Sequence, residues 1–116
     1  MDIYHIWCNL KPGVSDLEFV RNTRAYLDRL QQHGQLAQYR ITRCKLGLRP
    51  ATLPEFHVML EFDNLAQLDA AFSSVASRTD PVEQVHQAVN SLVKDLSFAL
   101  YRDFPDPVRS TGQERF

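Results

Sequence analysis

The chain has 116 residues, of which 44% are hydrophobic and 23% are charged, and its formal net charge is -1. This length fits one compact domain with a single core, so we expect a domain over residues 1–104 and a polar C-terminal tail or arm over residues 105–116. The near-neutral charge argues against nucleic acid as a partner, because that requires a clustered basic surface. No apolar run is long enough for a membrane span, and the first residues do not resemble a signal peptide, so we expect a cytoplasmic protein.

The first predicted strand, at about residues 2–10, alternates between an apolar side and a side with polar and aromatic residues. A predicted strand at about residues 56–63 repeats this pattern. The polar and aromatic sides of the two strands carry His5, Trp7, Asn9, His57, Met59 and Glu61. A solvated strand face normally carries Lys, Glu and Thr, so this composition indicates a face that is covered but not dry, as a pocket wall would be.

Three helix starts are marked by a capping residue that is followed three positions later by Glu or Gln. The pairs are Ser15 with Glu18, Asn64 with Gln67, and Asp80 with Glu83. Helical spacing of apolar residues follows each start, and Gly34 is a stop signal for the first helix. We therefore predict three helices, the second and third joined by a tight corner near Thr79.

Two further strands are predicted at about residues 37–46 and 95–103. The resulting order is strand, helix, strand, strand, helix pair, strand, which matches the βαββαβ arrangement of ferredoxin-like α+β folds with an extra helix before the last strand. We expect a four-stranded antiparallel sheet with helices on one face.

Helices can cover only one face of such a sheet, and neither face of the first and third strands suits water. We therefore expect a homodimer that packs sheet against sheet and forms a barrel. Periodicity leaves two arrangements open. Either the apolar face meets the partner and the face with His5, Trp7 and His57 lies under the helices, or the reverse.

At these residues the chain resembles the dimeric α+β barrel superfamily and, within it, the stress-responsive α/β barrel family. The resemblance covers about residues 2–106 and is carried by His5, by His57 at the opening of the third strand, and by the ending YRDFPD at residues 101–106. In that family the histidine-bearing face lines a pocket between sheet and helices. The resemblance therefore favours the first arrangement, with a pocket roofed by residues such as Tyr26 and Leu27.

The chain departs from this family before its last helix. The family often carries His-Pro-x-His there, with the final His able to act as a base, whereas this chain has Asp80, Pro81, Val82 and Glu83. Glu83 is either a helix-capping residue or a weak candidate for that base.

The candidate catalytic residues are His5 and His57, because imidazole titrates near neutral pH and can act as a general acid or base. Their alternative role is structural, as buried neutral histidines. Candidate ligand-binding residues are Trp7, Asn9, Tyr26, Met59 and Glu61. Core packing explains Trp7, Met59 and Tyr26 as well as ligand binding does.

No cofactor or metal is expected. The single cysteines Cys8 and Cys44 have no zinc-type or redox spacing. The predicted function is the binding of a small apolar or aromatic molecule. If the protein is an enzyme, we expect it to act on this molecule by cofactor-independent acid–base chemistry. The alternative is a non-catalytic ligand-binding or protein-interaction module.

Overall fold

The computed structural model describes residues 1–76 and 82–106, and for residues 75, 76 and 82–85 it describes the backbone alone. The elements are β1 (Asp2–Leu10), α1 (Asp16–Gln32), β2 (Gln38–Arg43), β3 (Phe56–Phe62), α2 (Leu65–Ala76), α3 (Val82–Asn90) and β4 (Val93–Arg102). Three sequence predictions lie outside the described residues: the corner near Thr79, the cap at Asp80 and the tail beyond residue 106. Within the described helices, none combines the length and hydropathy that a membrane span requires.

The four strands form one antiparallel sheet in the order β2-β3-β1-β4. The two central strands, β1 and β3, are the ones whose alternation the sequence makes conspicuous, and Trp7 lies opposite His57 in their register. This order and the βαββαβ connection, with a third helix before the last strand, confirm the predicted ferredoxin-like α+β fold.

The first two helices begin where their capping residues predict. The Ser15 side chain accepts a hydrogen bond from the backbone N–H of Glu18 at 3.3 Å, and Asn64 Oδ1 accepts one from that of Gln67 at 2.8 Å. These bonds satisfy N–H groups that have no partner within the helix. After α1 the chain turns at Gly34, whose φ of +71° is in the left-handed region that glycine adopts without strain.

The apolar face of the sheet lies under the helices, and we call it the helix-covered face. Its central side chains are from 0 to 4% exposed: Cys8, Phe56, Val58, Leu60 and Phe62. The apolar stripe of α1 packs on this face through Phe19, Leu27 and Leu30. The arrangement favoured by the family resemblance is therefore wrong, because a helix with an apolar stripe gains more free energy by covering the more apolar side of the sheet.

None of the described helices covers the opposite side of the sheet, and we call that side the open face. It carries Ile3, His5, Trp7, Arg40, Thr42, His57, Met59, Glu61, Ala99 and Tyr101. Most of these side chains are nevertheless only half-exposed, because neighbouring side chains on the face pack against each other.

The edge strand β2 ends earlier than its composition predicts, at Arg43 rather than residue 46. The backbone N–H of Cys44 still donates to the carbonyl of Glu55 at 2.8 Å, and the chain then turns away at Leu46 and Gly47, whose φ values are 58° and 66°. Arg43 fixes this exit. Its guanidinium pairs with Asp16 at the start of α1 and with Glu55 at the end of the loop, both at 2.9 Å.

Candidate functional site

A cavity of about 460 Å³ lies between the helix-covered face and the helices. The strands contribute Tyr4, Ile6, Cys8, Val58, Leu60, Val93, Leu96 and Phe98 to its wall, and the helices contribute Phe19, Thr23, Tyr26, Leu27, Phe72, His86, Val89 and Asn90. The lining is thus mostly aliphatic and aromatic, and the volume is in the range of small-molecule pockets.

Two polar rings meet in the helical wall of this cavity. The ring of Tyr26 on α1 contacts the ring of His86 on α3 edge to face, with centroids 5.5 Å apart. Burial raises the pKa of Tyr26 to about 12, so its hydroxyl stays protonated and can donate a hydrogen bond at neutral pH. The Thr23 hydroxyl, by contrast, already donates to the carbonyl of Phe19 at 2.7 Å.

Cys8 is the thiol in the strand wall of the cavity. Burial raises its pKa to about 11, so it is a protonated thiol at neutral pH and a poor nucleophile. At 2% exposure, Cys8 packs as a small apolar side chain. Cys8 therefore offers the cavity a soft apolar surface and no reactive group.

The cavity opens between β4 and the helices. Three large apolar side chains at this opening are exposed by 43, 42 and 56%: Phe72, Leu96 and Phe98. The ring of Tyr4 connects the two phenylalanines, because it meets Phe72 edge to face at 5.1 Å and stacks with Phe98 at 5.9 Å. The described side chains at this opening therefore form an aromatic rim of Tyr4, Phe72 and Phe98.

A second cluster, centred on two histidines, lies on the open face of the sheet. His5 Nδ1 and His57 Nε2 are 2.9 Å apart, which is a hydrogen-bond distance. The indole of Trp7 stacks on both imidazoles, with centroids 4.5 Å from His57 and 5.6 Å from His5. The ring of Tyr101 on β4 meets His5 edge to face at 5.2 Å. The strand register creates this cluster. It sets Trp7 opposite His57, and His5 lies two residues before Trp7 on the same face of β1.

The environment of the two histidines keeps them neutral. Partial burial lowers the pKa of His5 below its usual value of 6.5. Partial burial, and then the charge of neighbouring His5, lower the pKa of His57. Both effects oppose a second positive charge on the pair, so at neutral pH the hydrogen bond joins two uncharged rings.

The candidate residues chosen from the sequence do not form one site. His5, Trp7, His57, Met59 and Glu61 share the open face, whereas Tyr26 lies in the cavity on the other side of the sheet. The predicted pocket lined by His5, Trp7 and His57 under the helices is therefore wrong. Their position follows from the burial of the opposite, apolar face beneath α1.

Asn9 lies at the end of the sheet and holds the chain together there. Its Oδ1 accepts a hydrogen bond from the backbone N–H of Glu55 at 2.9 Å, and its Nδ2 donates to Asp95 at 3.1 Å. Asp95 itself sits at a positive φ of 57°, beside the irregularity in the pairing of β1 and β4. Both polar atoms of the Asn9 side chain thus tie the long loop and the start of β4 to β1.

Glu83 belongs to α3, but its side chain lies outside the described part of the structure. Sequence reasoning missed His86, which lines the cavity from the same helix. A signal was present, because His86 is four residues after Val82 and three before Val89, on the apolar stripe of α3. Among the described residues, no group of three or more His, Cys, Asp or Glu side chains is placed to hold a metal ion.

Solved structures with very low sequence identity share this fold. At3g17210 from Arabidopsis thaliana superimposes with a TM-score of 0.67 at 8% identity, over 89% of this chain and 95% of that protein. SnoaB, a cofactor-independent oxygenase from Streptomyces nogalater, has a TM-score of 0.67 at 7% identity, over 90% of this chain and 97% of that one. A dimeric ferredoxin-like protein of unknown function from Jannaschia sp. CCS1 has a TM-score of 0.63 at 12% identity, over 89% and 100%.

These likenesses concern the fold, and they confirm the resemblance to dimeric ferredoxin-like α+β proteins at that level. No protein of curated function matches the chain in sequence. The sequence pattern of one family matches all of residues 1–116, and the chain accordingly belongs to the family of unknown function DUF6614.

Proposed function

We propose that this protein binds a small, largely apolar molecule with an aromatic part in the cavity between the sheet and the helices. The observation that carries this proposal is the nearly uninterrupted apolar lining of a 460 Å³ cavity that opens through the aromatic rim of Tyr4, Phe72 and Phe98. An aromatic ligand gains from burial and from edge-to-face or offset contacts with such rings. A charged ligand would lose its hydration there without compensation.

The polar end of this ligand faces the Tyr26 and His86 pair. The protonated phenol of Tyr26 donates a hydrogen bond to a hydroxyl or carbonyl oxygen, and an imidazole can either donate or accept. A ligand that combines an aromatic body with one such oxygen therefore matches the cavity better than a pure hydrocarbon does.

Calorimetric titration with 2-naphthol tests this proposal. We expect saturable binding to the wild-type chain and none to Val89→Trp, whose indole fills the cavity from α3. The matched control is Leu17→Trp, which adds the same side chain at a position on α1 that is 74% exposed and outside the cavity. Equal binding of 2-naphthol to wild type and Val89→Trp would place the ligand elsewhere and refute the proposal.

A second candidate function is acid–base catalysis on the bound molecule, and the contact between Tyr26 and His86 favours it. The predicted catalytic pair His5 and His57 does not support this function, because the two rings lie on the open face and hydrogen-bond to each other. Proton transfer in the cavity would fall on His86, with Tyr26 as a hydrogen-bond donor. Turnover that survives His86→Gln would remove His86 as the base.

The proposal includes a homodimer that forms through the open face. This face exposes part of Trp7 and Met59, and a second copy would cover both and gain the free energy of apolar burial. Arg40 and Glu61 give the face one side chain of each sign, so two copies related by a two-fold axis can pair opposite charges. The Jannaschia protein of the same fold is described as dimeric, which supports this assembly.

A further inference from the structure

The hydrogen bond between His5 and His57 depends on the number of protons that the pair carries. A neutral imidazole has one N–H and one accepting nitrogen, whereas a doubly protonated imidazolium can only donate. The 2.9 Å contact between Nδ1 of His5 and Nε2 of His57 therefore needs at least one neutral ring. When both rings are charged, the bond is lost and two positive charges face each other.

The geometry of the pair suits a shared proton better than a metal ion. The ring centroids are 5.2 Å apart, the planes differ by 22°, and the closest nitrogens are 2.9 Å apart. Each nitrogen therefore points towards the other ring, along the line between the two rings. Two metal ligands would instead direct their lone pairs at a common third point.

The remaining charged and titratable groups on the open face come from β2, β3 and β4 and from the ends of these strands. They are Arg40 on β2, Cys44 after β2, Glu61 on β3, Tyr101 on β4, Lys94 opposite Asn9, and Asp95 bonded to Asn9. Arg40 is diagonal to His57, whereas Glu61 is diagonal to His5. Because these two charges have opposite signs and similar placement, their effects on the pair offset each other. The repulsion within the pair then dominates its response to protons.

We infer that proton uptake by the His5 and His57 pair dissociates the homodimer, so that the open face is a pH-controlled interface. This inference rests on the dimer proposed above. A partner sheet packed on the open face removes water from the two rings, and a charged imidazole loses more hydration free energy than a neutral one. The separated chain therefore takes up protons more readily than the dimer does.

The sign of the effect follows from this difference in proton binding. As the pH falls below 6.5, the usual histidine value, protonation draws the equilibrium towards the separated chains. Each additional proton bound on dissociation raises the dimer Kd about tenfold per pH unit, so two pairs that each take up one proton raise it about a hundredfold per pH unit. Above pH 7 the Kd should be independent of pH.

Sedimentation equilibrium between pH 8 and pH 5 tests the inference, with circular dichroism at each pH to verify that the chain stays folded. We expect a dimer at pH 8 whose Kd rises at least tenfold by pH 5.5. In His5→Gln/His57→Gln the Kd should not change with pH, because glutamine keeps hydrogen-bonding groups but does not titrate. The matched control is His33→Gln, on the exposed end of α1, which should keep the wild-type pH dependence.

The outcomes separate this inference from the dimer itself. A monomer at pH 8 at all concentrations refutes the dimer and the switch together. A dimer whose Kd is the same at pH 8 and pH 5 refutes the switch alone, as does an unchanged pH dependence in the double variant. If the double variant does not fold, the imidazole NMR titration of wild type decides. We expect midpoints for His5 and His57 that fall as protein concentration rises, and concentration-independent midpoints would contradict the inference.

Discussion

Trp7 and His57 face each other across β1 and β3 with ring centroids 4.5 Å apart and only 12° between their planes. This stack makes the indole a neighbour of the titrating pair, since His57 also bonds His5. Trp7 is the single tryptophan of the chain, so its emission reports on this one place. The same indole lies on the opposite side of the sheet from the cavity, so ligand binding there should leave it unchanged.

The first prediction is that Trp7 emission decreases as the pH falls, because a protonated imidazole in contact with an indole quenches its fluorescence. Burial lowers the pKa of both His5 and His57, so the midpoint should lie below 6.5. A steady-state titration from pH 8 to pH 4.5 measures it. In His57→Gln the pH-dependent decrease in emission should be much smaller. A decrease of wild-type size in that variant would show that protonation of the pair does not cause the quenching of Trp7.

The second prediction concerns Met59, which lies at the centre of the open face between His5 on β1 and Arg40 on β2. Met59→Lys places a charge where the second copy would pack, and its desolvation should weaken the dimer at least a hundredfold. Light scattering at pH 8 measures the mass. Leu48→Lys is the control, because Leu48 is 81% exposed in the loop between β2 and β3. A dimer of unchanged stability in Met59→Lys would exclude the open face as the interface.

Much of the fold could be predicted because local signals at particular residues carry it. Ser15 and Asn64 mark helix starts by the bonds that their side chains make with the backbone, and Gly34 supplies a left-handed turn. The alternation in β1 and β3 identifies two strands that have one apolar side and one mixed polar and aromatic side. These signals depend only on residues that are close together in the sequence, so they can be recognised without knowledge of the tertiary structure.

The choice of sheet face could not be predicted from alternation. Period-two patterns separate Tyr4, Ile6 and Cys8 from His5 and Trp7, but they do not say which set meets the helices. The burial of apolar surface by α1 decides this, and it depends on contacts between elements that are far apart in sequence. The cavity residue His86 lies on the apolar stripe of α3 in the sequence, but only the placement of α3 in the fold shows that this stripe lines a cavity.

The third prediction compares the effects of truncating a buried and an exposed leucine on α1. Leu27 is 2% exposed on the buried side of α1. Leu27→Ala should lower the free energy of unfolding by about 2–5 kcal/mol through lost burial and a new void. Leu17 on the same helix is 74% exposed, and Leu17→Ala should change it by less than about 0.5 kcal/mol. Urea unfolding followed by circular dichroism measures both. Equal losses in the two variants would contradict the packing of α1 on the helix-covered face.

The fourth prediction concerns the hydroxyl of Tyr26 in the cavity. Tyr26→Phe keeps the ring and its contact with His86 but removes the hydrogen-bond donor. Affinity for 2-naphthol should fall by about 1 kcal/mol, roughly fivefold in Kd, which is the usual net contribution of one such bond. Affinity for naphthalene, which has the same rings without the hydroxyl, should stay the same within about twofold because it makes no bond to lose. Competition between the two probes in calorimetry measures the difference, and equal losses for both would mean that Tyr26 acts through the shape of the cavity rather than through its hydroxyl.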